Sequence, residues 1–309
     1  MKITVWSSLL CLVTACTTAP VLPTSTPTPT LIPNPAPTPT PAFDASKYGT
    51  AELDVTYCTP DGKPQKLDLY FPESGGPWPV LLYVHGGSWR EGDKAEGAGW
   101  RNLTASGYLI VAVNYRMAAE AKLPAMINDV ECAVRFLRAH HADYNVDTTH
   151  IGALGASAGG HLVALLGTSP DFAGREGVEY ADQSSRVQAV VTLAGLSDFT
   201  VDMPDGINMA IYYAFGGLAG TESEKNIAAS PVTYITPDDP PFLILHGDKD
   251  GVVPVEQAKI LHAALTEAGV PSQLGIVENG DHGLQGKNAT PTQEEIFNLI
   301  FAFLEANLK

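Results

Sequence analysis

The sequence predicts an α/β fold: a mainly parallel sheet with an antiparallel N-terminal hairpin and helices on both faces. Three observations predict it. Strand and helix patterns alternate from about residue 53 to the C-terminus, the pattern of a parallel sheet with crossover helices. VLLYV (80–84) is an unbroken apolar run, as expected of a strand buried on both faces, and YLIVAVNY (108–115) reads as another buried strand, with FLILHG (242–247) a further strand. The first two strand patterns instead alternate apolar and polar residues, which marks a half-buried edge hairpin.

From the amino terminus, Met1 and Lys2 precede an apolar run from Ile3 to Val13, too short to span a bilayer. That is the shape of a secretory signal, residues 1–15. Val13-Thr14-Ala15-Cys16 resembles a lipobox, in which cleavage leaves a cysteine that carries lipid, so Cys16 is the expected lipidation site. Residues 17–42 are almost entirely Thr, Pro and Ala. Such a segment has nothing to bury and favours extended polyproline II. At ~3.1 Å per residue it reaches up to ~80 Å. Residues 16–42 therefore read as a lipidated cysteine plus a disordered linker, and residues 43–309 as one catalytic-sized domain. The expected location is outside the cytoplasm, membrane-anchored through Cys16 or else secreted.

In the folded part, LDVTYC (53–58) and QKLDLYF (65–71) flank a Pro-Asp-Gly-Lys turn and form the hairpin. Strand 80–84 is followed by a Gly-rich loop and a helix near 97–106, then strand 108–115. Pro124 opens a helix in which Ile127, Val130, Val134 and Leu137 recur at helical spacing. HIGALGA (150–156) is a strand and AGGHLVALLG (158–167) a helix. VQAVVTLAG (187–195) and FLILHG are strands. VEQAKILHAALTEAG (255–269) is a helix that Gly269 ends, and QLGIVE (273–278) is the last strand. Thr290-Pro291-Thr292-Gln293 reads as a capping box with Pro at the first helical position, opening a final helix through Phe303 and Leu304.

The formal charge is −16, with no Lys/Arg cluster, which argues against nucleic acid and anionic lipid surfaces as partners. Four cysteines are present. Without Cys11 and Cys16, Cys58 and Cys132 remain, and two cysteines make no framework; they are expected to be free, packed thiols. No spacing of His, Cys and Asp suggests a metal site, and no cofactor is expected.

In a parallel sheet of this kind, ligands sit past the carboxyl ends of the strands. Ser157 stands there, in GASAGGH (155–161), between a strand and a helix. A sharp turn that lifts a serine clear of the sheet strains its backbone and forces helix against strand. Gly155, Ala156, Ala158 and Gly159 remove the side chains that would clash. Serine needs a base. Of eight histidines, His282 is distinguished by its loop, Asn279 to Gly283, just past the last strand. His161, in the first turn of the elbow helix, reads as a supporting or capping residue. His246 ends a strand immediately before the loop that must supply the acid. That loop, GDKDGVVP (247–254), offers Asp250 as the carboxylate that orients the imidazole, while Asp248 is expected to shape the turn by an Asx-type bond. The order Ser157, Asp250, His282 is that of the α/β-hydrolases. His85-Gly86-Gly87-Ser88-Trp89 follows strand 80–84, and the amides of Gly86 or Gly87, with that of Ala158, are candidates for an oxyanion hole. Trp89 is either a pocket wall or core. Residues 199–232 interrupt the rhythm, and Tyr212, Tyr213 and Phe215 within them are expected to line the substrate pocket.

HGGSWREGDK, NYRMAAEAKLPAMINDV, DTTHIGALGASAGGHLVALLG, SPVTYI, PPFLILHGDKDGVVPVEQ and GDHG, in that order, resemble the α/β-hydrolase esterases of the bacterial feruloyl/acetyl-xylan-esterase (BD-FAE-like) type, related to the hormone-sensitive-lipase group. The resemblance runs from about Asp54 to the C-terminus. It implies an α/β-hydrolase fold and hydrolysis of a carboxylic ester, small or on a polysaccharide, without cofactor. It implies Ser157 as nucleophile, His282 as base and Asp250 as its partner, and a structural Arg116–Asp129 pair. Ser88 stands where many relatives carry a third glycine, which leaves its backbone N–H in place. Two alternatives remain open: an arylformamidase-type amidase, which shares the HGG and GxSxG pattern, and a non-catalytic carbohydrate-binding surface lipoprotein.

Overall fold

The computed structural model describes residues 44–169 and 179–309. The signal segment, Cys16 and the linker lie outside the described residues.

The described strands form one sheet in the order β1-β2-β4-β3-β5-β6-β7-β8. β1 (Ala51–Cys58) and β2 (Gln65–Tyr70) make the antiparallel hairpin, and β2 also runs antiparallel to β4 (Leu109–Val113). The remaining neighbours, β3 (Trp78–Val84), β4, β5 (Val146–Ala156), β6 (Ala189–Leu193), β7 (Phe242–Gly247) and β8 (Ser272–Val277), are all parallel. The apolar strand runs do what their composition requires: every residue of β4 and of β7 is buried. Because side chains alternate across a strand, neighbours along β3 go to opposite cores. Leu82 and Val84 join the layer built with α1 (Ala125–Ala139) and α3 (Ala158–Thr168). Leu81 and Tyr83 join the layer built with α7 (Gln293–Leu308), through Ile296, Ile300, Phe303 and Leu304. This is an α/β-hydrolase architecture, with the carboxyl ends of β3, β5, β7 and β8 along one rim.

Three local readings are corrected. The helix expected near 97–106 begins at Lys94 and is a 3₁₀ helix through Ser106, opened by a capping box of Asp93 and Glu96. The last helix is capped by Thr292, not Thr290: the Thr292 side chain accepts from the Glu295 amide and the Glu295 carboxylate accepts from the Thr292 amide. Thr290 instead pairs with Glu278 in an antiparallel bridge, with bonds of 2.7 and 3.0 Å. Pro291 therefore precedes the cap.

The third correction concerns Cys58 and Cys132, which form a disulfide. Cys58 ends β1 and Cys132 lies on α1, which packs against β1, and their Cα atoms stand 6.4 Å apart, inside the bridging range. Nearby, Arg116 and Asp129 pair as the family resemblance implies. The Arg116 guanidinium donates to both Asp129 carboxylate oxygens at 2.8–3.1 Å and reaches Asp61 at 2.9 Å. Asp129 also accepts from the Arg116 amide at 2.8 Å, so the pair ties the end of the segment after β4 to α1.

The disulfide closes a loop between positions 74 residues apart. On chain-entropy grounds it stabilises the fold by about 4 kcal/mol. Urea unfolding of Cys132→Ser should show a loss approaching that figure, and reductant should lower the wild-type midpoint while leaving the variant's unchanged. Equal midpoints for wild type with and without reductant would show that the bridge contributes nothing.

Candidate active site

β5 delivers Ser157 to the rim in a conformation that few residues adopt. Its φ is 53° and ψ −117°, between the end of β5 and the first turn of α3. Such a backbone costs of order 1–3 kcal/mol and persists only where its surroundings hold it. They do so here: the Ser157 amide donates to Leu193 at 2.8 Å, and the Ser157 carbonyl accepts from the His161 amide at 3.0 Å. The small residues around Ser157 are a matter of volume. A Cβ on Gly159 would overlap the carbonyl oxygens of Val84 and His85, and one on Gly155 would overlap the Gly159 carbonyl. α3 can start against β3 and β5 only if these positions are bare.

The same tight packing sets the loop after β3. A Cβ on Gly86 would stand 3.0 Å from the Ala156 carbonyl and 3.5 Å from Ser157 Cβ, so this loop passes directly beside the serine. Gly87 has φ 99°, and Ser88 and Trp89, at φ 53° and 59°, occupy left-handed backbone that disfavours side chains. Among the described residues, no protein acceptor takes up the amides of Gly86, Gly87 or Ala158. Three N–H donors are thus left open next to the serine.

The Trp89 ring holds this loop. Trp89 is 0% exposed and packs among the rings of His161, Phe199 and Phe215, with centroids 4.9–6.2 Å away. Its indole N–H donates to His161 Nδ1 at 3.2 Å, and His161 Nε2 donates to the Ala229 carbonyl at 2.8 Å. His161 is fully buried, and that burial pushes its pKa down to about 4, although the Ala229 carbonyl acts in the opposite direction. It is therefore a neutral imidazole whose single tautomer satisfies both bonds. The supporting role expected of His161 is visible in these contacts. His85 is buried too, stacked on Tyr115 at 4.5 Å. Burial lowers its pKa, against the pull of the Gly86 carbonyl on Nδ1.

Across the rim, Asp250 and His282 meet. His282 Nδ1 donates to Asp250 Oδ2 at 2.7 Å. Asp250 Oδ1 accepts from the amides of Val252 and Val253 at 2.8 and 2.9 Å, and the side chain is wholly buried. Burial alone would raise the carboxyl's pKa. Bonds from His246, His282 and the two amides outweigh it and hold the group well below the usual carboxylate range. Asp250 is thus an anion at every working pH. The Asx-type bond expected of Asp248 is made by Asp250 instead, while Asp248 Oδ1 is buried without a partner. The His282 loop is held at its base by the Glu278–Thr290 bridge, and Gly247 lets it lie on β7, since a Cβ there would overlap the carbonyls of Gly280 and Asp281. With Nδ1 engaged, the ring's Nε2 is the free atom.

The structure brings Asp250 and His282 into contact and sets the Gly86–Gly87 loop against Ser157. Among the described residues, no hydrogen bond joins Ser157 Oγ to His282. Ala156, immediately before the serine, and His282 do border one cavity of about 400 Å³. The aromatic residues from the segment 199–232 divide. Phe215, on α4 (Asp205–Phe215), is core, and it borders a separate cavity of about 200 Å³. Tyr212 and Tyr213 are each 47% exposed, with the Arg90 guanidinium 5.2 Å from the Tyr213 ring. Among the described residues, no group of three His, Cys, Asp or Glu side chains converges to hold a metal.

Sequence reasoning missed His246. Its Nε2 lies 3.1 Å from Asp250 Oδ2 and 3.0 Å from the Val253 carbonyl, so the carboxylate is braced by a second imidazole. The available signal was a histidine closing a buried strand four positions before the acid.

The family model described as BD-FAE matches residues 67–265. The probable carboxylic ester hydrolase LipM of Mycobacterium tuberculosis is 36% identical over 60% of this chain and 44% of its own length. The chain spans about half the length of the curated relatives it matches first. Among solved structures, a truncated carbohydrate esterase from gut microbiota superposes with a TM-score of 0.72 at 27% identity, over 85% of this chain and 98% of that one. The butyrate-bound esterase Est2 of the planctomycete Thermogutta terrifontis gives 0.70 at 26%, over 84% and 95%.

The depressed pKa of His161 has a consequence for stability. Above the ordinary value of 6.5 neither the folded nor the unfolded chain protonates this ring. Between there and about 4 only the unfolded chain does, so stability is lost as pH falls through that window. The slope is ~1.4 kcal/mol per pH unit, about 3 kcal/mol in all. Urea titrations at pH 7 and pH 4 should show this loss in wild type and a loss smaller by about that amount in His161→Gln. Parallel pH dependences for the two proteins would contradict the assignment.

Proposed function

The chain belongs to the BD-FAE family, and from that premise we propose that it hydrolyses carboxylic esters through an acyl-enzyme on Ser157. The observation that carries the reading is the Asp250–His282 bond, which leaves His282 Nε2 free on the rim that also holds a strained serine and three open amides. The substrate's carbonyl oxygen points at the amides of Gly86 or Gly87 and of Ala158. Ser157 Oγ attacks the carbonyl carbon and His282 Nε2 takes its proton. The oxyanion gains from donors already in place, each worth ~3 kcal/mol of barrier. Asp250, ionised and buried, holds the imidazole tautomer and stabilises the imidazolium. The proton then goes from Nε2 to the leaving oxygen. Water, activated by the same nitrogen, releases the acid and restores the hydroxyl. The Ser157–His282 hydrogen bond forms as substrate binds, since such bonds tighten from looser free-enzyme geometry.

Esters of short acyl or aryl acids are the proposed substrates. The carbohydrate esterase among the similar structures supports a narrower second reading, acyl groups on a polysaccharide. We also propose that the protein works outside the cytoplasm, tethered to a membrane by lipid on Cys16 and residues 16–42. The Cys58–Cys132 disulfide supports an oxidising compartment.

A fluorophosphonate probe followed by peptide mass spectrometry tests the mechanism. It should label Ser157 in the wild type and fail to label His282→Ala. Asp250→Asn should lose ~10⁴ in kcat, because the imidazole is then held in the wrong tautomer. Label on another residue, or full activity in Ser157→Ala, would sink the reading. Side-by-side assays on a phenyl ester and an N-formyl arylamine separate esterase from amidase, with the ester expected to turn over faster.

A further inference from the structure

The 400 Å³ cavity beside His282 is built unlike the rest of the rim. Its walls come from the 3₁₀ segment 94–106, from α7 and from the His282 loop, on the face of the sheet away from α3. Trp100, Ile296 and Phe297 supply apolar surface, and the Trp100 and Phe297 rings stack at 6.3 Å and 19°. Tyr83, 6.5 Å from Trp100, backs this pair from the core. The polar side chains in the wall are His282 and Gln293. The Gln293 amide already donates to the Leu284 carbonyl. A cavity of this size lies in the range of small-molecule sites.

Position tells which part of an ester it faces. The reacting carbonyl is fixed by Ser157 and the open amides of Gly86, Gly87 and Ala158, and none of these residues is in the cavity wall. His282 is. In ester cleavage the imidazolium returns its proton to the departing alcohol, so that group lies against the imidazole. The lining tells which alcohols. A sugar placed here would set its hydroxyls against walls that offer them few partners. A ring or branched chain without hydroxyls would instead lose only water.

We propose that this cavity is the leaving-group subsite and that it selects esters of apolar, ring-bearing alcohols. The inference rests on the catalytic reading of Ser157 and His282, and it sides with simple esters over acylated polysaccharide. The specificity-determining residues are Trp100 and Phe297, with Gly99 at the wall.

Gly99 provides the test. It borders the cavity, its φ is not in the left-handed region, and a Cβ added there meets nothing within 4 Å, so Gly99→Leu adds bulk at the cavity wall without a clash. Benzyl acetate and 2-methoxyethyl acetate share an acyl group and have leaving alcohols of similar basicity. The wild type should favour the benzyl ester by at least tenfold in kcat/KM. Gly99→Leu should cut that ratio at least tenfold, and Phe297→Ala should lower it too. The order of preference among ethyl acetate, butyrate and hexanoate should persist in both variants. A ratio unchanged by Gly99→Leu, or a shift in acyl-chain preference instead, would overturn the proposal. Assaying Ser157→Ala on the same esters separates the two levels. If that variant keeps full activity, the catalytic reading itself falls; if activity needs Ser157 while the ratio ignores Gly99, only the subsite falls.

Discussion

Everything at the rim depends on one exclusion of volume, the contact between the start of α3 and the ends of β3 and β5. Without side chains at Gly155 and Gly159, the helix begins directly on the strand carbonyls. That contact forces Ser157 into left-handed backbone, turns the Ala158 amide free, and presses the Gly86–Gly87 loop against the serine. A single methyl at position 159 would have to displace the end of β3. The strain at Ser157 is thus held by packing of main chain on main chain, which a local rotation cannot relax.

Imidazoles do the remaining positioning, and burial assigns each a different task. His161, deep in the core, is held neutral and acts as a fixed acceptor for the Trp89 indole, which anchors the left-handed loop from the core side. His246, equally buried, braces Asp250 from below, while His282, with part of its ring in solvent, bonds the same carboxylate oxygen from above. One aspartate therefore collects two ring nitrogens and two amides. Its negative charge is what makes so concentrated a set of donors stable inside the protein.

The fold and the elements that carry the candidate site were legible because their signals are local. GASAGGH, HGGSW and the loops after the seventh and last strand patterns each carry their chemistry within a few residues, and each falls at a strand end. What was not legible depends on the order of strands in space. Cys58 and Cys132 meet because α1 packs on β1, a relation that their spacing does not encode. Trp89 could be wall or core by sequence, and Phe215, expected at the pocket, is core instead; their place among His161 and Phe199 is decided by how the segment after β6 folds back onto α3. Asp250 bonds His282 as expected and also makes the Asx-type bond expected of Asp248, since either carboxylate could close that turn by sequence. The apolar cavity is assembled from the 3₁₀ segment, two strand ends, the His282 loop and α7, and its lining runs from Gly99 to Ile300 along the chain.

The central claim is that the serine, the imidazole and the open amides act together on one ester carbonyl group. A crystal structure with a boronic acid or trifluoromethyl ketone bound is the most direct measurement of that. The account predicts a tetrahedral adduct on Ser157 Oγ, one oxygen held by the amides of Ala158 and of Gly86 or Gly87, and His282 Nε2 at about 3 Å from the adduct. An adduct whose oxygen points away from those amides, or an imidazole that stays out of reach of it, would contradict the account.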